Sequence, residues 1–114
     1  MIFDLPYPPS VNHYWLASGH HRYISKAGRQ FRRDAFYIIK PQRPKLCTTE
    51  VSVTVLVWPP DKRRRDLDNI LKPVLDALQY AGVIKDDCQV AELIVRRNEI
   101  VKGGASQVIV TQLV

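Results

Sequence analysis

The segment from Glu50 to Trp58 sets the terms for the rest of the chain. Val51, Val53, Val55 and Val57 occupy every second position. Period-two alternation of β-branched residues specifies a strand with one face buried. Leu56 and Trp58 make the second face apolar towards its end, so that end needs cover from a partner or another element. Pro59-Pro60 stops the strand, because proline cannot donate to a sheet ladder. Such a strand requires sheet neighbours and something packed on its valines.

The remaining elements supply both. Ile2 to Leu5 is a short apolar run closed by prolines and reads as a first strand. Pro6 to Trp15 is a proline-stiffened loop. Ser25 is a good N-cap for a helix whose buried stripe is Ala27, Phe31, Ala35, Ile38 and Ile39, and Pro41 and Pro44 end it. Lys40 to Thr49 is a polar, basic linker loop. Ile70, Leu71, Val74, Leu75 and Leu78 form the stripe of a second helix, with Gly82 as its stop. Pro73 fits only in a first turn, so that helix begins near Asn69 or Ile70. Gln89 to Val101 alternates as a strand through Val90, Leu93 and Val95. Lys102-Gly103-Gly104-Ala105 signals a hairpin turn, and Ser106 to Val114 is the last strand. The order β-α-β-α-β-β predicts an α+β fold, a mixed β-sheet with two helices packed on one side, as a single small domain over residues 1–114.

Composition narrows the partners. The 114 residues carry 17 Lys and Arg against 11 Asp and Glu, a net charge of +6, and the pI is near 9.6. That balance favours a polyanion, nucleic acid being the commonest. Cys47 and Cys88 form no metal-binding spacing. The start Met1-Ile2-Phe3-Asp4-Leu5-Pro6 lacks the basic and apolar regions of a signal peptide, and no apolar run is long enough to span a bilayer. The expectation is a cytoplasmic protein with free thiols and no membrane association.

The chemistry concentrates where the central strand ends. In Asp61-Lys62-Arg63-Arg64-Arg65-Asp66-Leu67-Asp68-Asn69, four consecutive cations run into two carboxylates. Cations alone would bind a phosphate without cutting it, and carboxylates alone would repel it. Combined with a divalent metal they make a phosphodiester site: the bases hold the backbone, the acids hold the metal, and the metal activates water. Asp66 and Asp68 fall in the turn before the second helix, and Asp86 or Asp87 comes from the loop after it. Those acids meet only if the chain turns back along the helix and the next strand lies beside the first. Taken singly, a basic run is usually a solvated loop and acids at a helix start are usually caps. Asn12, Tyr14 and Asn69 join Lys62, Arg63, Arg64 and Arg65 as candidate DNA contacts, although Tyr14 and Trp15 would equally serve to cover a sheet edge. His13, His20 and His21 read as solvated, or at most as phosphate contacts.

This motif, followed by Lys72, Asp76-Ala77-Leu78, Ala81-Gly82 and Asp86-Asp87, resembles the RusA family of Holliday junction resolvases. So do Pro8-Pro9-Ser10-Val11-Asn12 with Tyr14, and Ser25-Lys26-Ala27-Gly28. The similarity runs in order along nearly the whole chain. It implies a small dimeric endonuclease, dependent on Mg²⁺ with Mn²⁺ as an alternative ion, that cuts paired strands at a four-way DNA junction. The family's metal-binding acids fall on Asp66, Asp68 and Asp87, with Asp86 the alternative to Asp87, and its essential lysine falls on Lys72. Pro73, directly after that lysine, departs from the family pattern.

Other classes compete with this one. A basic DNA-binding protein without catalysis would use the same arginines, but would gain nothing from carboxylates beside them. A purely structural reading makes Asp66 and Asp68 caps and pairs Lys72 with Asp68 or Asp76 across one helical turn. A nuclease for flaps or forks would share the scaffold. Two symmetric cuts require two acid clusters and therefore a C2 homodimer, for which Leu56, Trp58, Val108, Val110 and Leu113 are the candidate interface residues.

Overall fold

The computed structural model describes residues 1–18 and 21–113. Its elements in chain order are β1 (Ile2–Leu5), α1 (Val11–Tyr14), β2 (Trp15–Ser18), β3 (His21–Ile24), α2 (Lys26–Ile39), β4 (Val51–Trp58), α3 (Leu71–Tyr80), β5 (Val90–Arg97) and β6 (Ala105–Gln112). Short 3-10 turns occupy Lys40–Gln42, Leu67–Ile70 and Asp87–Gln89. The main sheet has strand order β1-β6-β4-β5. β4 runs parallel to β5 and antiparallel to β6, and β1 is antiparallel to β6. The expected mixed sheet of an α+β fold is what forms.

β4 lies inside the sheet, with ladders on both edges. Its four valines are all at 0% exposure and join one core with Phe31, Ala35 and Ile39 of α2, Val74, Ala77 and Leu78 of α3, and Val108 and Val110 of β6. Both long helices therefore cover the same face, as expected. The stripe of α2 is rotated slightly from the predicted one: Gly28 is buried and Ala27 exposed. Gly28 sits where α2 meets α1. A Cβ there would lie 2.8 Å from the Tyr14 carbonyl oxygen and 2.8 Å from Ile24 Cγ2, so the close approach requires glycine. The Ser25 side chain caps α2 as predicted, accepting from the Gly28 N–H at 3.0 Å.

Three features depart from the expected order. Residues 11–18 and 21–24 form the short helix α1 and the two-stranded sheet β2-β3, where the sequence showed only a loop. This hairpin stands outside the main sheet, so its residues lack the long one-sided alternation that marks β4. The glycine pair at 103–104 adopts positive φ at both positions, as its sequence demands, yet it joins no hairpin. β5 and β6 lie on opposite edges of β4, and the turn carries the chain across the end of that strand, where Val101 N–H bonds to the Pro59 carbonyl at 2.9 Å. Gly104 is there because a Cβ would lie 2.8 Å from that of Tyr7. Thirdly, Val108 and Val110 face the helices and are buried in the core, so they cannot serve a dimer interface.

Replacing Gly28 with alanine tests the α1–α2 junction. In a free helix the change would be stabilising by up to ~1 kcal/mol. Overpacking here is expected to reverse the sign and cost about 1–3 kcal/mol, seen as a lower urea midpoint at constant m-value. A midpoint at or above the parent's would mean that the two helices do not approach as described.

Candidate active site and nucleic-acid interface

The strand β4 ends at Trp58 and delivers the chain into the charged segment, which is folded by its own charges. Asp61 Oδ1 accepts from the Arg63 backbone N–H at 2.9 Å and from Arg65 Nη2 at 2.8 Å. The first of these bonds, with the two arginines, holds the Asp61 carboxyl below the usual range. The Arg65 guanidinium also donates to the carbonyls of Asp61 and Arg63, both at 3.2 Å, and lies 5.6 Å from the centre of the Tyr7 ring. Arg97, from the end of β5, donates to the Arg65 carbonyl at 2.5 Å. Arg65 is thus the keystone of its loop, with its charge already balanced by Asp61. Lys62, Arg63 and Arg64 are exposed; Arg63 Nε also lies 3.6 Å from Asp61 Oδ2, but its side chain keeps 83% of its surface open. The readily available cations of this run are these three rather than Arg65.

Across from them lies the proline loop. Tyr7, Pro8, Pro9, Ser10 and His13 form one wall of a cleft of about 550 Å³, and Arg63, Arg64, Arg65, Asp66, Asn69 and Ile70 form the other. Asp66 and Asn69 therefore share a cleft with two open arginines. His13, read as solvated, accordingly lines the cleft; its Nδ1 lies 3.0 Å from Ser10 Oγ. His20 lies outside the described residues, and so does the His21 side chain. Asn12 is exposed beside this wall without lining the cleft. Tyr14, expected as a DNA contact, is instead at 0% exposure. Its hydroxyl donates to Asp76 of α3, and burial together with that carboxylate pushes the phenol well above its ordinary pKa. A residue so enclosed has no surface left for nucleic acid; it anchors the loop wall to α3.

The acids after α3 separate into two kinds. Asp86 caps the turn Asp87–Gln89, accepting from the Cys88 N–H at 2.9 Å, while the Gln89 side chain accepts from the Asp86 N–H at 2.8 Å. The bond from Cys88 keeps the Asp86 carboxyl below the ordinary range. Gln89 then ties the turn to the Cys47 and Thr49 carbonyls. The pattern Asp86-x-x-Gln89 is a capping box, the local signal that separates Asp86 from Asp87 and that the sequence reading missed. Asp87 has no such duty. Its Oδ2 accepts from Lys72 Nζ at 2.7 Å. The chain does turn back along α3, and β5 does lie beside β4, so an acid from the second segment reaches the lysine of the first. Lys72 pairs with neither Asp68 nor Asp76, the partners offered by helical spacing; Asp76 is engaged by Tyr14 and lies 3.9 Å from Arg32.

Asp66 and Asp68 are both exposed on the turn Leu67–Ile70 and its entry, and neither side chain caps it. Among the described residues, no three His, Cys, Asp or Glu side chains stand together closely enough to hold a metal ion. The donors are hard carboxylate oxygens, the type Mg²⁺ prefers. Mg²⁺ is usually held by one or two carboxylates, with waters and substrate phosphate completing its shell. The donor set fits a site completed by substrate, not a preformed cage of three acids.

Comparison with known proteins finds relatives along nearly the whole chain. The family model described as endodeoxyribonuclease RusA matches residues 6–111. The crossover junction endodeoxyribonuclease of Enterobacteria phage HK97 is 43% identical over 112 residues, covering 97% of this chain and 93% of the phage protein. The crossover junction endodeoxyribonucleases of Shigella sonnei strain Ss046 and Escherichia coli strain K12 are 36% and 34% identical, each over 96% of this chain and 92% of theirs.

The division between the adjacent acids is testable by stability alone. Asp86→Ala removes a cap and should lower the urea midpoint, whereas Asp87→Ala, which loses a partly exposed ion pair and an exposed contact with Asp86 but no bond to the backbone of the turn, should leave it nearly unchanged. Equal losses would mean that Asp87 also holds the turn together.

Proposed function

The chain belongs to the RusA family of endodeoxyribonucleases, and we propose that it resolves four-way DNA junctions, in recombination and repair, by paired symmetric cuts that depend on Mg²⁺ or Mn²⁺. The observation that carries this reading is the 2.7 Å contact between Lys72 and Asp87. It joins the segment bearing Asp66 and Asp68 to the acid-bearing loop beyond α3. Asp66, Asp68 and Asp87 would hold the metal, which when bound would supply an activated water and neutralise phosphate charge.

The protein's own groups then have separable tasks. Lys62, Arg63 and Arg64 hold the DNA backbone beside Asp66, and Asn69 faces the same cleft. Hydrolysis requires water to attack phosphorus in line with the departing deoxyribose oxygen, and negative charge grows on the phosphoryl oxygens as it does. Lys72 is the cation positioned to meet that charge. Its pair with Asp87 is partly exposed, with 47% and 35% of the two side chains open. Pairs of that kind contribute about 0–1 kcal/mol. An arriving phosphate can therefore draw Lys72 away at little cost, and doing so releases the Asp87 carboxylate for the metal.

Two cuts related by symmetry call for two copies of the chain. The open face of the sheet supports a homodimer. Ile2, Ile109, Thr54 and Ile94 are aligned in one row across all four strands, Ile2 and Ile94 are about half exposed, and Leu56 and Trp58 lie on the same face. Leu113, beyond the end of β6, is also exposed. Among the described residues no helix is long and apolar enough to cross a membrane, and the proposed location is the cytoplasm, with the DNA.

Cleavage of a labelled four-way junction beside a matched linear duplex, with and without Mg²⁺, is the decisive experiment. Cutting of flaps or forks in preference to junctions would replace the substrate while keeping the chemistry. Asp68→Asn should abolish cutting and leave junction affinity equal or higher, since a negative charge near phosphate is lost. Lys72→Ala should slow single-turnover cutting roughly 10²–10³-fold with little loss of affinity; an unchanged rate would return Lys72 to a surface pair.

The cations separate in a different measurement. Arg64→Ala should flatten the log–log salt dependence of duplex binding by about 0.9, the share of one phosphate. Arg65→Ala should instead lower the thermal midpoint by loosening the loop at Asp61. The reverse pattern would overturn the roles given to these neighbours. Sedimentation at micromolar protein without DNA should show a dimer that Ile94→Asp disrupts. A monomer that still makes paired cuts would place assembly on the substrate.

A further inference from the structure

On the helical side of the molecule a second basic surface has no part in the site described. A groove of about 490 Å³ runs between α2 and the end of α3. Lys26, Arg29 and Arg33 line it at helical spacing, with Arg32 beside them, and no carboxylate contributes to its walls. Among the described residues, Lys26, Arg29 and Arg33 have no carboxylate at ion-pair distance; Arg33 donates only to the neutral Gln30, at 2.9 Å. Two aromatic rings stand open among these cations. Tyr37 is 68% exposed and Tyr80 is 53% exposed.

The rings are held in place. Phe36 packs against both, edge-on to Tyr37 at 5.8 Å and tilted to Tyr80 at 5.5 Å. The Arg32 guanidinium lies 4.2 Å above the Tyr80 ring and is itself steadied by Asp76. Cations that track a backbone, combined with rigid open rings, are the ingredients of a single-strand binding surface: phosphates meet the charges and unpaired bases stack on the rings. A duplex could use the charges but not the rings, because its bases are already stacked.

We propose that this groove binds an unpaired stretch of DNA strand, with a base on Tyr37, the Arg32-covered Tyr80 ring completing the wall, and phosphates on Lys26, Arg29 and Arg33. The surface is distinct from the cleft at Asp66, and the proposal does not depend on the cutting chemistry. The test is fluorescence anisotropy in EDTA, where no metal supports cutting, using labelled oligothymidylate of about twelve nucleotides and a duplex of equal length. The intact protein should bind the single strand. Tyr37→Ala should weaken that binding about tenfold, Tyr37→Trp should restore it, and neither should change duplex affinity. Arg29→Gln should flatten the salt dependence for the single strand by about 0.7. Tyr37 is so exposed that its replacement leaves the fold intact. Failure of the parent to bind oligothymidylate, an unchanged affinity on Tyr37→Ala, or an equal loss on duplex would each overturn the proposal, the last by making the groove a general backbone contact.

Discussion

The valine stripe of β4 is the constraint on which the structure depends. All four side chains are fully enclosed, and each is covered only if α2 and α3 lie on the same face of the sheet. A slip of one residue in either ladder would turn the stripe towards the open face, so the buried pattern fixes register with β5 and β6 together. Position then follows from register. Val57 aligned with Arg97 sets Arg97 at the end of β4, where it donates to the Arg65 carbonyl. Val51 aligned with Val90 draws the start of β5, and with it the loop carrying Asp87, alongside β4.

Because the site is hung on loops at the edges of this frame, its parts differ in how firmly they are set. Arg65, Asp61 and Gln89 each make several bonds that define a loop, and Tyr14 ties the cleft's proline wall to α3 through Asp76. Asp66, Asp68, Arg63 and Arg64 are exposed. The bonded groups shape the site, and the open surfaces of the exposed ones can meet a polyanion. Positively charged neighbours that lie this close repel one another until a phosphate arrives, which favours binding without demanding rearrangement of the frame.

The parts legible in the sequence were those governed by local rules. Valine alternation, the Ser25 cap, the limit set by Pro73 and the turn at Gly103-Gly104 all act over a few residues, and all appear in the fold. What was not legible depends on partners distant in the chain. A Gly-Gly turn looks the same whether it joins two paired strands or, as here, carries the chain over the end of a third. Tyr14 reads as an open aromatic until Asp76, far along the chain, takes its hydroxyl. The hairpin of β2 and β3 is too short, and too far outside the main sheet, for alternation to reveal it. The sequence reading leaves Asp86 undivided from Asp87 although its signal is local, since its capping partner stands three residues away.

The same distinction bears on how much a motif can say about a site. Asp61-x-x-x-x-Asp66-x-Asp68 fixes residue types, but the four cations and five acids of the site do not have equal roles once folded. Arg65 and Asp86 are spent on geometry, while Arg64 and Asp87 have charges that a ligand can reach. Arg64 and Arg65, like Asp86 and Asp87, are the same residue type at adjacent positions in the chain. The deciding quantity is the number of backbone groups each side chain satisfies. Asp86 accepts from a main-chain N–H that would otherwise be left over at the start of a turn, and moving it would expose that group. Asp87 meets the Lys72 ammonium and the neighbouring Asp86 side chain, and water or phosphate can take the place of Lys72. The ability to exchange partners at small free-energy cost distinguishes a group available for chemistry from one committed to the fold.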